Sequence, residues 1–338
     1  MDTATASAIY GTYVALVYLF PLLGGWIADR MWGFRRAVLV GGIVIACGHY
    51  AMAVPLELTF WLGLLLIALG TGLLKPNISA MVGELYHNND AKRDAGFSVF
   101  YMGINLGAFI APLVTGALMD NFGWHYAFGA AAIGMTIGVI QYVLGGRKTL
   151  AGIGLTAPNP ASPTEKRNVF LIIGASVGGI ILMALLDAWL FGFEIADMVD
   201  ILAIFILLVP IVYFVRMFRT PGMSKEQTSR LHAFLGLFIG AAIFWMIYDQ
   251  AGSTLSVFAE ESTDLTVGGF TIPVPWLQSI NPIFIIIFAP IFAAIWSKLG
   301  DRAPSTPLKF AWALLGISLS FLIMIIPASK AAAWILVF

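Results

Sequence analysis

Apolar runs long enough to cross a bilayer recur along the whole chain. They fall at about 7–28, 37–54, 60–85, 96–118, 126–145, 168–188, 198–217, 232–258, 277–298 and 308–327, with a shorter one from 331. A helix needs about 20 such residues to span the hydrocarbon. Backbone amides and carbonyls find no water there, so a crossing segment must bond within itself or close into a barrel. Continuous apolar runs of this length, lacking the polar–apolar alternation of barrel strands, specify helices. The chain is therefore expected to be an all-α, polytopic membrane protein. Composition agrees: of 338 residues 60% are hydrophobic and 11% charged, against about 25% charged in soluble domains.

The few charges orient the helices. Of 18 Lys and Arg residues, all but Lys75 and Lys330 lie on alternate loops, from Arg30, Arg35 and Arg36 to Lys298, Arg302 and Lys309. The positive-inside rule makes those loops cytoplasmic. Glu57, Asp120, Glu194, Glu260, Glu261 and Asp264 lie on the other side, so the first helix runs from outside to inside and one more is expected ahead of it. The N-terminus enters a helix after a polar half-turn, and AAAWILVF stops within an apolar run, so the chain is expected to be a fragment. A net charge of +0 leaves no field for nucleic acid. The single Cys47 and the dispersed His49, His87, His125 and His232 offer no disulfide frame or metal-ligand spacing, so no metal or cofactor is expected. No obligate protein partner is evident.

Two polar stretches divide the chain: 146–167, rich in Pro, Gly and Ser, and 219–230. The reading is an N-terminal bundle over 1–146, a linker with two additional transmembrane helices over 147–230, and a C-terminal bundle over 231–338.

Lys75 ends the otherwise uncharged stretch WLGLLLIALGTGLLKPN at 61–77. A cation near the bilayer centre costs about 2.5–3.5 kcal/mol on insertion scales, so it persists where it faces a bundle interior or a wet cavity. The alternative is a lysine that snorkels to the headgroups, although Met81, Val82 and Leu85 still follow it. Solute or ion handling is the default reading. Asp249, inside the run 232–258, carries the same kind of cost. Glycines and prolines within spans, such as Gly70, Gly72, Pro76, Pro112 and Pro282, serve close helix packing or broken helices. His49 is intramembrane but close to the outer polar segment, which favours an interfacial role over a proton relay. An intramembrane hydrolase is disfavoured: no HExxH or GxSxG occurs, and Ser253, Thr254 and Ser256 lack a histidine at matching depth.

The first loop, GGWIADRMWGFRR at 24–36, places Asp29 among Arg30, Arg35 and Arg36. It resembles the loop between the second and third helices of the major facilitator superfamily, which makes the missing helix the first. GTGLLKPNISAMVGELY, KRDAGFSVFYMGINLGAFIAPLVTG, FGWHYAFGAAAIGM, FWMIYDQAGSTL and LQSINPIFIIIFAPIFA then resemble, in order and spacing, the proton-coupled oligopeptide transporters. The resemblance covers nearly the whole chain. It implies a major facilitator fold, truncated here, with two extra helices between bundles, and proton-coupled symport of di- and tripeptides by alternating access around a midplane cavity.

By that resemblance Lys75 matches a carboxylate-binding and coupling lysine, Asn105 and Asn281 match asparagines that bond peptide backbone, and Tyr18 matches a cavity tyrosine. Trp245 matches a cavity wall, and Asp249 stands where the family usually has a gating glutamate. The residue types also suit the substrate on chemical grounds. A zwitterionic peptide needs a cation for its carboxylate, an acid for its ammonium, amides for its peptide bond and aromatic surface for variable side chains. Taken alone, each asparagine could equally bridge helices, and Tyr18, Trp245, Tyr101 and Tyr248 read as packing aromatics. Two departures stand out: the ExxERF-type motif of the first helix and the glutamate of the tenth helix are absent, so the fragment is expected to be inactive alone. Rival readings are another solute of the superfamily, such as nitrate or a modified amino acid, and a nontransporting peptide receptor. The setting implied is the cell (inner) membrane, with the proton as coupling ion and the lipid bilayer and peptides as partners.

Overall fold

Each apolar run folds as helix because nothing else satisfies its backbone in lipid. The computed structural model describes residues 3–86, 90–150, 152–190, 192, 195–328 and 332–333. Helix α1 (Thr3–Ile27) passes through a π-helical turn (Ala28–Trp32) into α2 (Phe34–Met52), α3 (Glu57–Glu84), α4 (Asp90–Phe122) and α5 (Trp124–Thr149). Next come α6 (Pro163–Leu190), α7 (Ile195–Phe218) and α8 (Lys225–Tyr248), a 3-10 turn (Asp249–Gly252) and α9 (Thr254–Ser262). Short strands β1 (Thr263–Asp264), β2 (Thr266–Val267) and β3 (Phe270–Thr271) lead to α10 (Ile280–Leu299) and α11 (Thr306–Ile323). Among the described residues, 8 segments are long and apolar enough to cross a membrane. Helices α2 and α11 cover the two remaining predicted runs. The protein is a multi-pass, all-α membrane protein.

By contacts the chain forms two units, Met1–Gly103 with Ala117–Leu207, and Ile104–Gly116 with Leu208–Phe338. In the first, the most deeply buried apolar residues are small, Ala28, Ala37, Ala68 and Ala132 among them, with Ile45, Ile67 and Met81 packed beside them, while other large ones such as Leu58 and Trp189 are exposed. That is the packing expected where lipid is as apolar as the side chains and helices gain by close approach. Glycines make the approach: a Cβ on Gly41 would stand 2.7 Å from the Gly70 carbonyl oxygen, and one on Gly48 2.9 Å from that of Gly63. The two pairs, seven residues apart on both α2 and α3, fix these helices as antiparallel neighbours. Gly24 of α1 meets the Gly72 backbone of α3 closer still.

The linker after α5 does not run free. It turns back over the first loop of the same unit: Arg35 N–H donates to the Gly154 carbonyl (2.9 Å), Asn159 N–H to that of Asp29 (3.0 Å) and Ala161 N–H to that of Arg30 (2.9 Å). Ser162 and Glu165 then close a capping box on α6, with Ser162 N–H donating to Glu165 Oε2 at 2.8 Å and Glu165 N–H to Ser162 Oγ at 3.2 Å.

In the second unit, the predicted run 232–258 is not one helix. It breaks at Asp249–Gly252, and the break is held from outside the run: Gln278 Nε2 donates to the Ala251 carbonyl (2.7 Å) and to Ser256 Oγ (2.9 Å). Such interruptions are tolerated at membrane depth where side chains replace the lost backbone bonds. Ala259, Leu265 and Leu277 form a small core below Ile272, Val274 and Ile280. Strands β2 and β3 make a hairpin over Gly268 and Gly269, both at positive φ as a two-residue primed turn requires. Segment 104–116 is tied in by Trp276 Nε1, donating to the Leu113 carbonyl at 3.0 Å, and Ser279 Oγ, donating to that of Phe109 at 2.7 Å.

Candidate functional site

Lys75 owes its position to the residues around it. Pro76 has no N–H to donate to the Gly72 carbonyl, and Gly72 is where α1 presses against α3, with a Cβ there only 2.8 Å from the Phe20 carbonyl carbon. Asn77, 1% exposed, donates through Nδ2 to the Leu73 carbonyl at 2.7 Å and to the Gly24 carbonyl of α1 at 3.0 Å. These contacts lock one face of α3 to α1. Lys75 stands off that buried face as an exposed side chain, its Nζ 4.1 Å from the centre of the Tyr18 ring. At 1.5 Å per residue about 13 Å of helix separates it from Glu84, further than a four-carbon stem reaches. A cation–π contact at such a site is worth about 0.5–1 kcal/mol. A carboxylate would hold the ammonium more strongly, so Tyr18 orients the cation without competing with an anionic ligand.

The second unit gathers a polar and aromatic cluster of its own. Tyr248, the last residue of α8, donates its hydroxyl to Asn281 Oδ1 at 2.8 Å. Asn281 lies in the first turn of α10. One turn before Tyr248, Trp245 meets its ring edge-on at 5.1 Å, and Phe244 stacks on it at 5.9 Å. Trp245 is 44% exposed, as is Tyr18 in the other unit. Asp249 opens the 3-10 turn directly after Tyr248, half-buried, its N–H bonded to the Trp245 carbonyl. Asn105, on α4, is 5% exposed, enclosed where Asn281 is open.

Sequence reading left Tyr248 as a packing residue; the structure makes it the partner of Asn281. The available signal was its spacing of three from Trp245, which puts both on one helix face. The loop motif at 24–36 finds its contacts within its own unit. Asp29 accepts from Asn159 Nδ2 (3.1 Å), Arg30 pairs with Glu165 (2.7 Å), Arg35 donates to the Leu150 carbonyl (3.4 Å) and Arg36 lies 5.2 Å over the Trp32 ring. Asp29, Arg30 and Arg35 thus engage the segment that follows α5, while Arg36 stays within the loop. His49 Nδ1 is enclosed with no hydrogen-bond partner among the described residues. Among the described residues no three His, Cys, Asp or Glu side chains converge as metal ligands.

Residues 35–337 match the sequence model of the POT family. The chain is 44% identical over 332 residues to an uncharacterized transporter, YclF, of Bacillus subtilis strain 168, covering 97% of this chain and 66% of that one. It is 40% identical over 337 residues to a di-/tripeptide transporter of Lactococcus lactis subsp. cremoris, covering 97% and 67%. Its fold matches a crystal structure of a POT family transporter in complex with a thioalcohol-conjugated peptide, with a TM-score of 0.90, 36% identity and coverage of 98% and 70%. The chain spans about two thirds of the length of the curated relatives it matches.

Proposed function

The chain belongs to the POT family of transporters, and from that premise we propose that the protein takes up di- and tripeptides by proton-coupled symport through alternating access. The observation that carries the reading is Lys75: a cation on a membrane-spanning helix, fixed by Pro76 and Asn77 and held over the Tyr18 ring. A peptide carboxylate is its natural counter-charge. Trp245, Tyr248 and Asn281 supply aromatic surface and an amide for a peptide bond, and Asn105 and Asp249 complete the proposed set, Asp249 as a coupling or gating acid. The likeness to a di-/tripeptide transporter supports the substrate class. The proton is the coupling ion, with no other cofactor and no enzymatic reaction. The protein works in the cell membrane with its Lys- and Arg-rich loops cytoplasmic, including the loop of Asp29, Arg30, Arg35 and Arg36. One charge moving down the membrane potential releases about 2.3 kcal/mol per 100 mV, enough to drive accumulation.

Reconstitution tests this. Proteoliposomes of the intact protein, given an inward proton gradient and an inside-negative potential, should accumulate labelled dialanine, and unlabelled trialanine should compete while nitrate and free alanine do not. Lys75→Gln should abolish driven uptake while inserting normally. Competition by nitrate, or equal uptake by the Lys75→Gln protein, would overturn the reading.

A further inference from the structure

Helix α7 carries a cavity of about 510 Å³ that plays no part in the proposed transport site. It is lined by Ile211, Val212, Val215, Arg216, Arg219 and Thr220. Positions 211, 215 and 219 form one row along the helix and 212, 216 and 220 the next, since residues four apart lie one above the other. Each row changes from aliphatic to cationic or polar in the same direction, toward the end of α7 that the charge pattern makes cytoplasmic.

The face of α7 beside the first row is already engaged. Phe214, 8% exposed, packs 5.0 Å from Phe238 and 5.7 Å from Phe234 of α8, and Phe218 packs 4.9 Å from His232. The second row, 212, 216 and 220, lies farthest round the helix from that contact with α8. Among the described residues neither Arg216 nor Arg219 pairs with a carboxylate; the nearest acid in sequence, Glu226, is taken by Arg230 at 2.6 Å.

A ligand that satisfies this site has two parts, an anionic head able to accept from two guanidinium forks and an apolar chain that follows the helix into the hydrocarbon. Guanidinium binds phosphate oxygens in a bidentate manner, and basic pockets on the cytoplasmic side of a membrane protein suit anionic lipid heads. The volume lies within the range of small-ligand sites, about 300–1,000 Å³, room for a headgroup and the start of a chain. We propose that this cavity binds an anionic glycerophospholipid of the cytoplasmic leaflet, its phosphate on Arg216 and Arg219 and its chain along Ile211, Val212 and Val215. Free phosphate would use the arginines alone and leave the aliphatic rows without a role.

Native mass spectrometry of the intact protein in a neutral maltoside detergent, titrated with dioleoyl-phosphatidylglycerol or dioleoyl-phosphatidylcholine, tests the site. The phosphatidylglycerol adduct should form at a concentration about tenfold lower, the scale of one charge-assisted contact. Arg216→Gln with Arg219→Gln should erase that preference. Val215→Trp, which keeps both arginines and fills the groove, should weaken the adduct too, while Arg147→Gln with Lys148→Gln, an equal loss of charge elsewhere, should preserve it. Excess inorganic phosphate should not displace the lipid. Three results would overturn the proposal: an unchanged preference without the arginines, an equal loss in the Arg147 and Lys148 variant, which marks diffuse surface charge, or displacement by phosphate.

Discussion

Tyr248 and Asn281 act as a pair, and their bond fixes what the amide can offer. With Oδ1 accepting from the Tyr248 hydroxyl at 2.8 Å, the donor end Nδ2 is the one presented to a peptide carbonyl. Asn281→Ala and Tyr248→Phe should each weaken dialanine binding by about 0.5–1.5 kcal/mol, the usual net worth of one hydrogen bond. Because Tyr248 works through Asn281, the double variant should cost about as much as Asn281→Ala alone. Calorimetric titration of the four proteins measures this; additive losses would mean that the two side chains contact the peptide separately. The resemblance gave Asn281 its expected role, but the pairing with Tyr248 could not be read from the chain. The two residues lie in different apolar runs, and nothing in either run names the other as partner. Lys75 was legible because one cation in an uncharged run is conspicuous without any knowledge of its neighbours, and Tyr18 beneath it was recognised through family resemblance alone.

At the scale of elements, α1, α2 and α3 depend on glycine for their contact. A methyl group on Gly24 collides with the Gly72 backbone, whereas one on Gly25 meets nothing within 4 Å. Gly24→Ala should therefore lower the thermal stability of the purified protein by the roughly 1–3 kcal/mol that overpacking costs, and Gly25→Ala should stay within about 0.5 kcal/mol of the parent. Equal melting temperatures would show that the α1–α3 contact can relax. The positions of the helices were legible from apolar length, since lipid allows no other fold for such runs. The break after Tyr248 was not. The polar stretch DQAGST inside the run 232–258 was the available signal, but the donor that holds the Ala251 carbonyl is Gln278, beyond the β2–β3 hairpin. The course of the linker was not legible for a related reason: its Pro, Gly and Ser mark a loop but do not say that its backbone donors find carbonyls on the Asp29 loop. Composition measures polarity, not which partners meet.

For the whole molecule, alternation of charge between loops makes orientation testable independently of transport. In a Cys47→Ala background, cysteine placed at exposed Thr164 on α6 should react with an impermeant maleimide only from the cytoplasm, and cysteine at exposed Glu261 only from outside. Reversed labelling would invert the assignment of every loop. Coupling is the central claim, because family membership and fold are shared by uptake systems that could differ in what drives them. Asp249 is the acid on which coupling is proposed to turn, so Asp249→Asn should retain exchange of labelled for unlabelled dialanine, which needs no net proton transfer. The most direct measurement is proton entry itself. Proteoliposomes of the intact protein are loaded with a fluorescent pH dye, held at equal pH and zero potential, and exposed to external dialanine. The lumen should acidify as peptide enters, free alanine should leave it unchanged, and the Asp249→Asn protein should pass little proton despite intact exchange. Dialanine entry without acidification would contradict proton-coupled symport.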